Sequence, residues 1–120
     1  MIAWQMARKL NRQIYTITRC EPFIKDYGLA GQIQRASVSV MANIAEGFER
    51  AGQLEFRRFL LTAKASCAEV RSHLYVAFDV GYINQEVFKE LMALTEEVGR
   101  VLGGLRLSVE RRHASNLQKK

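Results

Sequence analysis

The amino-acid sequence predicts an all-α fold, an antiparallel up-down-up-down bundle of four helices. Three observations predict it. The 120 residues include one proline and eight glycines, which leaves little material for many turns and favours few, long elements. Hydrophobic residues make up 48% of the chain, enough for a single domain to build its own core. Apolar residues then recur at helical spacing in four separate segments.

In the first segment, from about Ala3 to Cys20, the residues Ala3, Ala7, Leu10, Ile14 and Ile17 share a face, and Arg8, Arg12 and Arg19 fall opposite. Pro22 disfavours helical geometry at Glu21 and stops the run, and a loop to Gly28 follows. The second segment, Leu29 to Glu46, ends at Gly47, which suits a left-handed helix stop. It has three faces: a core stripe through Ile33, Val40 and Ile44, a polar stripe, and a face of small residues with Gly31, Val38, Ala42 and Ala45. Arg35 is its one charge before Ala45, so most of its sides are expected to be buried.

The third segment, Gln53 to Val80, carries the seam Phe56, Leu60, Ala63, Cys67, Val70 and Leu74, and Gly81 ends it. Arg57, Lys64 and Arg71 line one flank at intervals of seven. The fourth opens after Asn84, a good N-cap, with Glu86 in its first turn, and keeps a seam to about Val109, although Gly103 and Gly104 weaken its last turns. Residues 1–110 are therefore read as the bundle and residues 111–120 as a basic, flexible tail.

A simple bundle needs one apolar stripe per helix. The second helix is apolar or small almost all round, and the third adds Leu61, Tyr75, Val76 and Phe78 off its seam. This surplus predicts a homo-oligomer. No run is long enough for a membrane span, no secretory signal is visible, and the cytoplasm is the expected compartment. Cys20 and Cys67 have no metal spacing and are expected to be buried thiols.

A polar stripe, Gln32, Arg35, Ser39, Asn43 and Glu46, is expected to face Glu55, Thr62, Ser66, Glu69 and His73 across a helical hairpin. Opposing Asn43 to Phe56 and Ser39 to Leu60 sets Arg35 and Arg50 against Glu55 and Glu69. As a site, this stripe would use Glu46 or Glu69 as acid or base beside His73. As a network, it would set helix register and subunit pairing, because partly buried polar groups need partners. The second reading is favoured. No nucleophile–base arrangement is evident, no strand leads into a phosphate loop, and His73 has no second histidine beside it, so no enzyme activity, cofactor or metal is expected.

The run Gln32-Ile33, Arg35-Ala36, Ser39 and Asn43-Ile44-Ala45-Glu46-Gly47-Phe48 with Arg50, followed by Glu55-Phe56, Arg58-Phe59-Leu60, Ser66 and Glu69, resembles a known signature. It is similar to that of the bacterial four-helix-bundle proteins encoded in intervening sequences of large-subunit ribosomal RNA genes. The resemblance spans about Leu10 to Leu105. The chain departs from the pattern in the loop before the second helix, at Val40-Met41 and at Ala65. The resemblance implies a homopentamer related to the accessory protein of diversity-generating retroelements, a basic barrel that binds nucleic acid and a reverse transcriptase. It implies no catalytic residue.

Formal net charge is +6. With the faces Arg8, Arg12, Arg19 and Arg57, Lys64, Arg71, this points to a non-enzymatic oligomer that binds RNA or DNA by shape and charge. The alternative is a scaffold for a protein partner. Most aromatics are expected near the core seams, which leaves no stacking platform.

Overall fold

The structure, a computed structural model, describes residues 1–50 and 52–119. Its helices are α1 (Ile2–Thr18), α2 (Tyr27–Glu49), α3 (Gln53–Asp79) and α4 (Gln85–Gln118), with a 3-10 turn at Phe23–Lys25. Successive helices pack side by side and α1 also packs on α4, which closes a four-helix bundle. There is no strand among the described residues.

Local chemistry explains most of the boundaries. Asp26 caps α2 by accepting from the Leu29 amide at 3.1 Å, and Asn84 caps α4 by accepting from the Val87 amide at 2.8 Å. Asp26 also accepts from the Tyr82 hydroxyl at 2.8 Å, and the Tyr82 ring stacks on buried Phe23. One carboxylate thus ties the α1–α2 connection to the α3–α4 turn.

Three boundaries differ from expectation. Gly47 does not stop α2. It is buried inside the helix, and the left-handed glycines are Gly52 and Gly81. A Cβ at Gly47 would lie 2.7 Å from Phe59 Cβ, so the glycine is needed for close approach of α2 to α3. Because α2 runs on to Glu49, the hairpin register moves: Ser39 faces Ser66, where Leu60 had been expected. Helix α4 continues past Arg111 to Gln118, because Val109 is buried and Asn116 reaches Gln53 on α3 at 3.5 Å. Residues 111–118, read as a flexible tail, are helical. Cys20 falls beyond the end of α1 and is exposed, and only Cys67 is buried.

The core has two parts. Leu10, Ile14, Ile33, Val70, Leu74 and Leu91 belong to one, and Ala7, Val40, Ile44, Leu60, Val98 and Leu102 to the other. Between them each helix contributes one buried polar residue: Asn11, Ser37, Ser66 and Thr95. Ser37 donates to Asn11 Oδ1 at 2.9 Å, Asn11 donates to the Ala7 carbonyl at 3.1 Å, and Thr95 donates to the Leu91 carbonyl at 2.7 Å. This polar waist satisfies its own hydrogen bonds, as a low-dielectric interior demands.

Candidate functional site

Grooves run between the helices, and three of them take different shares of the sequence-predicted residues. Between α2 and α3 lies a polar notch of about 300 Å³ lined by Gln32, Arg35, Ser39, Ser66, Glu69 and His73. The hydroxyls of Ser39 and Ser66 are 2.9 Å apart, and Asn43 donates to Ser39 Oγ at 3.0 Å and to the Ser39 carbonyl at 2.8 Å. The expected meeting of the two stripes therefore occurs at Ser39, Asn43 and Ser66.

The expected cross-helix charge pairs do not form. Arg50 pairs with Glu46 at 2.8 Å within α2, and Arg58 pairs with Glu55 at 3.1 Å within α3. Arg35 has no ion-pair partner among the described residues, and its guanidinium folds back over Gly31. Neighbours one helical turn away meet without crossing between helices, so exposed charges pair locally first. Such exposed pairs contribute at most about 1 kcal/mol each. The Ser39–Ser66 contact, by contrast, lies partly buried between helices. No group of three or more metal-ligating side chains occurs among the described residues.

Between α3 and α4 lies a basic groove of about 370 Å³ lined by Lys64, Arg71, Glu96, Gly99 and Arg100. The glycines let cationic side chains lie across α4: a Cβ at Gly103 would be 3.4 Å from Lys64 Nζ, and one at Gly99 would be 4.0 Å from an Arg71 nitrogen. Lys64 and Arg71 have no acidic partner among the described residues, whereas Arg100 pairs with Glu97. Arg57, the third cation of the flank, is neutralised: Glu110 accepts from it at 2.6 Å and from Arg106 at 3.4 Å. The Arg57 hydrogen bond holds the Glu110 carboxyl below its ordinary range. Below the groove, burial pushes the Cys67 thiol up to about 11 despite Arg71 and Lys64 nearby, so it is inert as a nucleophile at neutral pH.

Between α1 and α2 lies an open groove of about 420 Å³ with almost wholly apolar walls, lined by Trp4, Tyr15, Val38, Met41, Ala42 and Ala45 and bordered by Arg8 and Arg12. A second hollow of about 260 Å³ continues it past Trp4 and Ala45 to Met1 and Phe48. Arg19 lies over the Tyr15 ring at 5.7 Å. The α1 and α3 cations thus occupy different sides of the bundle. Tyr75, expected off the α3 seam, is exposed, and so are Tyr27 and Phe48, whose exposure was not anticipated from the sequence. No helix of the described residues is long and apolar enough to cross a membrane.

The fold defines a four-helix-bundle protein. Residues 1–104 match the family model described as 23S rRNA-intervening sequence protein, and the chain belongs to that family. A crystal structure of a protein of unknown function from the S23 ribosomal protein family of Bacteroides thetaiotaomicron VPI-5482 shares the fold. Its TM-score is 0.80 at 20% identity, with 87% of this chain and 97% of that chain covered. No curated protein matches the chain.

Proposed function

We propose that this is a non-enzymatic, homo-oligomeric protein of the cytoplasm that binds nucleic acid through its basic α3–α4 groove. One observation carries the reading. Lys64 and Arg71 lie across an open, glycine-floored groove without acidic partners among the described residues, so their charge is available to phosphate. Such contacts give affinity without base reading. Membership of a family described by 23S rRNA intervening sequences is compatible with an RNA ligand.

The test is fluorescence anisotropy with mixed RNA and DNA pools at several salt concentrations. Replacing Lys64 and Arg71 together by Ala should weaken binding uniformly across sequences and flatten the salt slope by about 2, near one unit per phosphate contact. Arg57→Ala should do less, because Glu110 already neutralises that charge. Unchanged binding in the double variant would remove the groove from the proposal. A second reading, a scaffold for a protein partner, is favoured by the apolar α1–α2 groove.

A further inference from the structure

Arg57, Lys64 and Arg71 stand seven residues apart on α3, so they share one flank at steps of about 10 Å. Lys64 and Arg71 have no acidic partner among the described residues, and Arg57 has one. That partner, Glu110, comes from the last part of α4. Its Oε1 accepts from Arg57 Nε at 2.6 Å and from Arg106 Nη1 at 3.4 Å, so one carboxylate oxygen serves two guanidinium groups. The cluster is short of acceptors, because Arg106 Nε is buried without a hydrogen-bond partner among the described residues. A carboxylate between arginines makes the contacts that a phosphate oxygen would make. Arg57 and Glu110 also line an open hollow of about 330 Å³ with Gln53, Leu54, Val109 and His113, so the pair is reached from solvent.

The segment that carries Glu110 is lightly held. Val109 is the last buried residue of α4 among the described ones, and every residue from Glu110 to Lys119 is exposed or half-buried. Past Glu110, Asn116 reaches Gln53 on α3 at 3.5 Å, at an exposed position. Few buried contacts put such a helix end at the low-stability end of a fold, where local opening is easiest. The segment also lies past residue 104, where the match to the family ends.

We propose that Glu110 is an internal competitor of nucleic acid: it occupies the phosphate seat at Arg57, and a nucleic-acid phosphate displaces it as the end of α4 lifts. This rests on the reading of the α3–α4 groove as the nucleic-acid site and adds a regulation to it. Lys64 and Arg71 make the standing phosphate contacts, and Arg57 makes a third only when Glu110 leaves.

Anisotropy with the mixed RNA and DNA pools tests the proposal. Glu110→Gln keeps the side chain's shape and removes its charge. It should bind more tightly than the parent protein and steepen the salt slope by about one unit, so that the gain shrinks about threefold for a fourfold rise in salt. Glu110→Ala, also well suited to a helix, should do the same. Glu90→Gln removes the same charge about 30 Å away along α4 and should leave the slope unchanged. In an Arg57→Ala background most of the gain from Glu110→Gln should vanish. An equal gain from Glu90→Gln, or an undiminished gain without Arg57, would show a general effect of net charge and overturn the proposal. If neither Glu110 variant gains, yet replacing Lys64 and Arg71 still weakens binding, the competitor is overturned and the groove reading stands. No binding by the parent or any variant overturns both.

Discussion

Gly47→Ala and Gly104→Ala are the same substitution in two helices, and the structure predicts opposite signs. Both replace glycine within a helix, which should stabilise by about 1 kcal/mol through backbone entropy. At Gly104 nothing lies within 4 Å of the new methyl, so the full gain is expected. At Gly47 the methyl would meet Phe59 Cβ at 2.7 Å and Phe56 Cδ1 at 3.0 Å. A Cβ is fixed to its backbone and cannot swing aside, so α2 and α3 must separate. Overpacking of this kind costs about 1–3 kcal/mol, and contact with the immovable Phe59 Cβ argues for the upper end. The net result is a loss of about 2 kcal/mol at Gly47 against a gain of about 1 kcal/mol at Gly104. Urea unfolding at fixed protomer concentration reads the difference. With a slope of about 1–3 kcal/mol per molar, the two midpoints should separate by about 1 M or more. If Gly47→Ala stabilises as Gly104→Ala does, the close approach of α2 and α3 is refuted.

Two further outcomes follow from individual side chains. A neutral thiol reagent should modify Cys20 quickly in the folded protein and Cys67 only after unfolding, since one is exposed and the other is buried with its pKa pushed up to about 11; two fast thiols would contradict the packing of α3. The hydrogen bond to Asp26 raises the Tyr82 pKa, with burial and the Asp26 charge adding to it. A raised folded-state value gives stability that is fully present below the ordinary tyrosine pKa and is lost as pH rises through the folded value. Ultraviolet titration of Asp26→Asn should show one of the four tyrosines ionising at lower pH than in the parent protein, and an unchanged titration would break the assignment.

The bundle was legible because its seams are long and regular: Leu60, Cys67, Val70 and Leu74 are buried as their spacing requires. Asn84 was legible as a cap for the same local reason. Gly47 was not, because a glycine near a helix end reads equally as a stop or as a close contact, and only the neighbouring helix decides. That one ambiguity displaced the hairpin register, and the expected partners of Ser39 and Arg35 moved with it. The polar stripe was visible as a set, and Ser39, Asn43 and Ser66 do meet. Its charged members pair within their own helices, a competition that spacing alone leaves open. Asn11, Ser37 and Thr95 were missed because isolated polar residues on an apolar face announce no partner until four helices bring them to one level. The long α4 was cut short because the sequence beyond Arg111 is polar, while the helix is held there by Val109, Glu110 and Asn116 against α3.

The polar waist divides the hydrophobic interior into two compartments that share backbone but few side-chain neighbours. Variation in one compartment is therefore insulated from the other, since energies of changes at distant sites without common partners add nearly independently. The half built around Phe23, Leu74 and Leu91 can drift to suit its turns, and the half around Ile44, Leu60 and Leu102 can drift to suit the grooves. Each does so without forcing a compensating change across Asn11 and Ser37. A chain organised in this way can diverge far in sequence while its helices stay in register.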